Sequence, residues 1–256
     1  MRNDLLDKLK AGARPVGTFL AVGNPAVAEG LILAGLDYVI IDSEHGPLDV
    51  ESAVDVMRAV EARGGSALAR TKDSSRASIL KMLDIGVNGL IIPNVRDVEE
   101  VHKIVEHSRF FPVGQRGLNF TRSAGYGLAD YARDLGDYMR IANERTLILP
   151  QCETKPCVEQ IEEIVAVEGI DGVFIGPFDL SVSLGKPGQF NSPEFTGAVR
   201  RVQKACAEAG KYCFTFSSDV EAGRRLMAQG FDSLTLSTDN LVMFQAYQKL
   251  LTQLRP

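Results

Sequence analysis

The feature that most constrains this chain is a repeated alternation of short apolar runs with amphipathic stretches of helical period. Several runs are apolar at successive positions, as is typical of strands in a parallel sheet that is buried on both faces. The runs lie at residues 15–22, 37–42, 66–71, 88–95, 146–152, 171–177, 211–216 and 232–237. Helical stretches follow them, and a glycine often closes the helix before the next run, as in LAGLD and AQGFD.

Eight strands, each followed by a helix, predict an α/β fold of the (β/α)8 TIM barrel type. The alternative is a doubly wound open sheet, which normally has fewer strands and a glycine-rich turn after the first one. No GxGxxG motif is present, and no change in composition marks a second domain, so residues 1–256 are expected to form a single barrel domain. A long loop insertion at about 108–145 precedes the fifth strand. Such a loop is expected to fold over the barrel mouth or to reach a neighbouring subunit.

Composition and charge exclude several classes of partner. The net charge is −5 without basic runs, which argues against nucleic acid. No segment has the ~18 apolar residues of a membrane span, and the first residues lack the apolar region of a signal peptide, so no membrane contact and a cytoplasmic location are expected. The four cysteines form no CxxC pair and are expected to be buried packing residues.

Charged and amide side chains close or follow several of the predicted strands. In a barrel of this type the chemistry takes place at the carboxyl ends of the strands, where such side chains would converge on one rim. These residues are Asp42 with Glu44 and His45, Arg70, Gln151 with Glu153, and Asp179.

Two of these positions suit a divalent cation. Glu153 and Asp179 follow adjacent strands and could bind Mg²⁺ or Mn²⁺, leaving positions open for substrate oxygens. Alternatively, each carboxylate could cap the helix that follows it. Arg70 could bind a carboxylate or a developing oxyanion, or form a structural ion pair with Asp42 or Glu44.

Several ordered motifs resemble those of the HpcH/HpaI aldolase family. They are AGLDYVIIDSEHGPLD, ALARTKD, LDIGVNGLIIPNV, PQCET and GVFIGPFDLSVSLG, and they extend over nearly the whole chain. Members are class II pyruvate aldolases with a TIM barrel of the phosphoenolpyruvate/pyruvate superfamily. The resemblance implies a carbon–carbon lyase for small-molecule 4-hydroxy-2-oxo acids and aldehydes, with Mg²⁺, Mn²⁺ or Co²⁺ as cofactor. It also implies a homo-oligomer, a hexamer or a trimer, in which the last helix packs on a neighbour.

The resemblance also implies catalytic roles for four positions. His45 would be the base that takes the proton from the C4 hydroxyl of the substrate. Asp84, or alternatively Asp42, would raise the basicity of this histidine. Arg70 would supply a positive charge where negative charge develops in the transition state.

The metal ligands implied by the resemblance are Glu153 and Asp179. The substrate-binding positions are Arg70, Gln151, Gly176, Pro177, Phe178 and Asp179. Phe178 is a departure from the family pattern, since many of its aldolases carry a small residue there. The stretch RGLNFTRSAGYG also departs from the family's aldolases. Both departures concern the acceptor substrate, while the pyruvate end of the site matches the family.

Three other functions fit the same residues. A Schiff-base aldolase would need a lysine with a lowered pKa, and Lys72 is the candidate near the rim. A citrate-synthase-like or citryl/acyl-CoA lyase member of the superfamily would use oxaloacetate or a thioester. A non-catalytic relative would bind the ligand without turnover.

Overall fold

A closed barrel of eight parallel strands, arranged in chain order, forms the centre of the molecule. The structure is a computed structural model that describes residues 1–255. The strands are β1 (Val16–Leu20), β2 (Tyr38–Asp42), β3 (Ser66–Arg70), β4 (Gly89–Ile92), β5 (Leu147–Cys152), β6 (Gly172–Ile175), β7 (Tyr212–Ser217) and β8 (Ser233–Thr238). All eight predicted strands are present, so the TIM-barrel prediction is confirmed and the doubly wound alternative is wrong.

Helices cover the outside of the barrel, and nine of the twelve in the part of the chain described begin at a residue whose side chain caps the helix. Asp49 caps the third helix as its sequence position predicts, and its partner in the capping box is Ser52. The helices are α1 (Asp4–Lys10), α2 (Pro25–Leu33), α3 (Val50–Ala62), α4 (Arg76–Ile85), α5 (Val98–Ser108), α6 (Leu135–Arg145), α7 (Lys155–Glu159), α8 (Ile161–Ala166), α9 (Pro177–Ser183), α10 (Pro193–Glu208), α11 (Val220–Ala228) and α12 (Asp239–Leu254). Within residues 1–255, none of these helices combines the length and the apolar character that crossing a membrane would require. The four cysteines are free and buried, as predicted.

Large apolar side chains fill the barrel interior, and the first helix seals its lower end. The interior cluster includes Tyr38, Ile40, Leu68, Leu149, Phe174 and Phe214. Leu5, Leu6 and Leu9 of α1 join this cluster from below. The Asn3 amide fixes the helix in place by donating to the backbone carbonyls of Asn88 and Arg145, at 2.8 and 2.7 Å.

The two-residue period of the strands places the polar residues above this apolar layer. Side chains two positions apart point to the same face of a strand, so the interior residue Ile40 is followed on that face by Asp42. In the same way Leu68 is followed by Arg70, and Leu149 by Gln151. The carboxyl end of the barrel is therefore a polar layer that rests on an apolar one.

The segment at 108–145 does not cover the barrel mouth, which corrects one of the two expectations for it. Its buried cluster, centred on Phe110 and Tyr138, packs against Met1. The Arg122 guanidinium donates to the backbone carbonyl of Ile85, at the end of α4 that leads into β4. These contacts hold the segment at the amino end of the barrel, opposite to the polar layer.

The sealing helix generates a prediction about stability. Leu5 is fully buried, so Leu5→Ala should lower the free energy of unfolding by about 2–5 kcal/mol through lost burial and a cavity. Leu33 is 65% exposed at the end of α2, so Leu33→Ala should change the free energy of unfolding by less than about 0.5 kcal/mol. Urea denaturation measures both, and equal losses would show that α1 does not close the barrel.

Candidate active site

A buried ion pair between Asp42 and Arg70 forms the centre of the polar layer. These residues are register partners at the last positions of the adjacent strands β2 and β3. Arg70 Nε and Nη2 donate to the two carboxylate oxygens of Asp42 at 2.9 and 2.7 Å. The guanidinium carbon lies 4.7 Å from the centroid of the Phe19 ring. The predicted ion pair of Arg70 therefore exists, and it points into the barrel mouth.

Asp42 also fixes the turn that carries His45. Its Oδ1 accepts hydrogen bonds from the backbone N–H groups of Glu44 and His45, at 3.1 and 3.3 Å. Burial alone would raise the pKa of the Asp42 carboxyl, but hydrogen bonds and charge from Arg70, with these two N–H groups, lower it overall. Asp42 therefore stays ionised and orients the backbone of the turn.

Glu44 lies between the arginine and the histidine. Its Oε2 is 3.2 Å from Arg70 Nη1 and 3.9 Å from His45 Nε2. Burial raises the pKa of Glu44, with Arg70 acting in the opposite direction. The His45 side chain is 68% exposed and therefore accessible to a substrate. Sequence reasoning gave Glu44 no catalytic part, yet it is the carboxylate that the structure places beside the imidazole.

Asp84 lies away from these residues. It occupies the last turn of α4, which runs from the mouth back to the amino end of the barrel. Its Oδ1 accepts a hydrogen bond from Arg116 Nη2 at 3.1 Å. Within the described chain no contact joins it to His45, so its predicted effect on the histidine has no structural support from one subunit.

Glu153 is the most perturbed carboxyl group of the cluster. Its Oε1 accepts a hydrogen bond from the backbone N–H of Asn94 at 2.6 Å, and its Oε2 accepts one from the Gln151 amide. Burial, together with the negative charges of Glu44 and Asp179, raises the pKa of Glu153 to about 7. The capping alternative is wrong for this residue, because Thr154 caps α7. Asn94 had no predicted role, and only its position after β4 could have indicated one.

Asp179 follows β6 on the other side of Glu153. It lies in the first turn of α9, whose N-cap is Gly176 without any side-chain hydrogen bond, so the N-cap alternative is also wrong. Pro177 is the first residue of that helix, and Phe178 is 51% exposed beside it. A Cβ atom on Gly176 would lie 2.5 Å from Glu153 Oε2 and 2.8 Å from the Gln151 amide nitrogen. Only glycine therefore leaves room for this pair of side chains.

Among the described residues, three buried polar atoms at the carboxyl end of the barrel make neither a hydrogen bond nor an ion pair. They are Ser43 Oγ, Gln151 Oε1 and Ser237 Oγ. Buried polar groups are normally satisfied, so a group of exceptions at one end of the barrel indicates a place where a ligand or an ion supplies the missing partners. Across residues 1–255 no three acidic, histidine or cysteine side chains are already gathered as a metal site. A cation here would therefore have to take further ligands from substrate or water.

Comparison with known proteins matches the whole barrel. The model of the family described as "HpcH/HpaI aldolase/citrate lyase" matches residues 15–246. A 2-keto-3-deoxy-L-rhamnonate aldolase from Salmonella paratyphi A is 33% identical over 271 aligned positions, which cover 100% of this chain and 98% of that protein.

Solved structures agree with this match. An HpcH/HpaI aldolase/citrate lyase family protein from Burkholderia cenocepacia superposes with a TM-score of 0.92 at 29% identity, covering 100% of both chains. The citrate synthase SbnG superposes with a TM-score of 0.87 at 30% identity, covering 97% of this chain and 96% of that one. The family resemblance seen in the motifs is therefore confirmed.

The central ion pair generates a prediction about stability. Asp42→Ala leaves the buried Arg70 guanidinium without its bidentate partner and should lower the free energy of unfolding by about 3 kcal/mol. Asp55→Ala removes the exposed partner of Arg58 and should lower the free energy of unfolding by less than about 1 kcal/mol. Denaturant unfolding of both variants tests the difference, and a similar small loss in each would contradict the importance of the buried pair.

Proposed function

The chain belongs to the HpcH/HpaI aldolase/citrate lyase family, and we propose on this premise that it is a divalent-metal-dependent pyruvate aldolase. In this proposal it cleaves or forms the carbon–carbon bond between pyruvate and an aldehyde in 4-hydroxy-2-oxo acids. The observation that carries the proposal is the excess of acid around Glu153. Burial, together with the negative charges of Glu44 and Asp179, raises the pKa of Glu153, while Arg70 is already bound by Asp42.

The residues at the mouth fit a divalent cation. Glu153 and Asp179 would hold it, because hard cations prefer carboxylate oxygens and the unpaired Gln151 oxygen supports a polar ligand nearby. When bound, a divalent ion supplies Lewis-acid stabilisation of negative charge on the substrate. Mg²⁺, Mn²⁺ and Co²⁺ are the candidates.

The chain's own residues would manage the proton and the charge. His45, exposed at the mouth, would take the proton from the C4 hydroxyl as the C3–C4 bond breaks and the aldehyde forms. The electron pair of that bond passes into pyruvate as its enolate, and the protonated histidine can return the proton to C3. Arg70, held rigidly by Asp42, would place its remaining positive charge near the developing oxyanion. Gln151 would orient the substrate from the adjacent wall.

A metal-removal experiment tests this proposal. EDTA should lower the cleavage of a 4-hydroxy-2-oxo acid by on the order of 100-fold or more, and Mn²⁺ should restore it. Glu153→Gln should lose Mn²⁺ binding measured by calorimetry together with activity. Glu162→Gln is the matched control, because Glu162 pairs with Arg201 on the exposed surface. This variant should keep both Mn²⁺ binding and activity. Full turnover after thorough chelation would reject the metal assignment.

A second candidate function follows from the likeness to the citrate synthase SbnG. An enzyme of that kind would use oxaloacetate in place of pyruvate. The proposed pyruvate site could hold either compound, since both are 2-oxo acids. Pyruvate and oxaloacetate assayed separately with one set of acceptors would distinguish the two. A Schiff-base mechanism is less well supported, because its lysine must be desolvated and Lys72 is exposed.

We also propose that the protein is a homo-oligomer whose contacts include α12. In the described chain this helix packs on β1 and β8. The helix also carries eight exposed large apolar side chains. These are Leu241, Val242, Met243, Phe244, Tyr247, Leu250, Leu251 and Leu254. Such a continuous apolar surface marks an interaction site, and a symmetric assembly, a hexamer or a trimer, would bury it.

Light scattering coupled to size exclusion tests the assembly. The wild-type protein should have the mass of several 27.8 kDa chains. The double variant Phe244→Glu with Leu250→Glu should have a smaller mass, because it buries charge in the proposed contact. Ala207→Glu, on the exposed side of α10, should leave the mass unchanged. A monomeric wild-type protein would contradict the proposal.

A further inference from the structure

We infer that the aldehyde-binding side of the active site is an aromatic subsite centred on Phe178, which selects aldehydes with an uncharged hydrocarbon group over aldehydes with a second carboxylate. This inference rests on the proposed aldolase function and adds the chemical class of the acceptor. Phe178 directly precedes Asp179 in the first turn of α9. Its ring is therefore attached to the backbone that carries a proposed metal ligand.

A continuous series of aromatic rings leads from Arg70 to the rim. The Phe19 ring lies under the guanidinium of Arg70, 4.7 Å from its carbon, and 6.0 Å from the ring of Phe216. The Phe178 ring is 5.9 Å from Phe216 and meets Phe190 edge-on at 5.2 Å and 87°. The wall that a substrate would follow outward from the arginine is therefore apolar along this side.

The outer part of this wall is open to solvent. Phe178 is 51% exposed, and Val182, one turn later on the same side of α9, is 62% exposed. Contacts with Phe190 and Phe216 hold the ring in this position. Covering such apolar surface removes it from water, so a ligand with a hydrocarbon group would bind favourably here.

The aromatic lining of the subsite disfavours a second carboxylate on the acceptor. The guanidinium of Arg70 is already bound by Asp42 through two hydrogen bonds and lies 3.2 Å from Glu44. An additional carboxylate would lose its hydration against the aromatic rings without gaining Arg70 as a free partner.

A matched pair of acceptors tests the inference in the Mn²⁺-loaded wild-type enzyme with pyruvate. Pentanal and succinate semialdehyde have similar lengths but differ in the end group. The kcat/KM for pentanal should exceed that for succinate semialdehyde by about 10-fold or more, because a carboxylate loses its hydration in an apolar site. Equal values, or a preference for succinate semialdehyde, would overturn the inference.

Variants of the ring test its part directly. Phe178→Ala should lower kcat/KM for pentanal about 10-fold, mainly through KM, and lower that for succinate semialdehyde less. Phe178→Leu, which keeps apolar volume, should retain most of the preference. Phe120→Ala is the control, because Phe120 is a partly exposed phenylalanine packed near Tyr138 at the other end of the barrel. A change in oligomer mass in Phe178→Ala would overturn the inference, since it would place the ring in a subunit contact.

Exchange of the pyruvate methyl protons in D₂O separates this inference from the proposed function. It requires no aldehyde and reports only enolate formation. Exchange by the wild-type enzyme combined with no preference for pentanal would reject the aromatic subsite and retain the aldolase. Absence of exchange would reject the aldolase, and the acceptor inference with it.

Discussion

The ion pair between Asp42 and Arg70 is the interaction on which the arrangement of the active site depends. It joins two neighbouring strands at their last residues, and the same aspartate holds the turn that carries His45. The pair is buried, so each partner would be an uncompensated charge without the other. Arg70 also reaches a neighbouring acid, since its Nη1 lies 3.2 Å from Glu44 Oε2, so the pair is not electrostatically isolated. Its chief effect is geometric, since it fixes the arginine fork above the Phe19 ring.

The remaining acids are left with an excess of negative charge. Glu44, Glu153 and Asp179 interact closely enough for burial and mutual repulsion to raise the pKa of Glu153 to about 7. A folded protein has no structural reason to keep such a group beside an unpaired amide oxygen of Gln151. The proposed cation would give such a reason, because it would satisfy the carboxylates that Arg70 does not bind. The cost in stability is therefore consistent with a functional site.

The strands and most of the site positions could be predicted from the sequence, because both follow from periodicity. Apolar runs give the strands, and the two-residue period then places Asp42, Arg70 and Gln151 on the interior face. Asp84 could not be placed by its motif, since the direction of α4 carries it to the opposite end of the barrel. The position of the 108–145 segment depends on the packing of Phe110 and Tyr138, which no local pattern reveals. Capping was the wrong alternative for Glu153, because Thr154 is the better placed cap.

The residues of the polar layer differ in how deeply they are buried. This difference fits the separate roles proposed for the charged groups and for the base. The apolar interior below the layer excludes water, so interactions of Arg70 and Glu153 are stronger there than at the surface. Groups that stabilise developing charge act best when they are held rigid in such surroundings. A base must instead reach both substrate and solvent, and His45, the proposed base, lies at the exposed edge of the turn that Asp42 holds. The proposed base thus lies at the exposed edge, Arg70 lies buried beneath it, and a single aspartate contacts both.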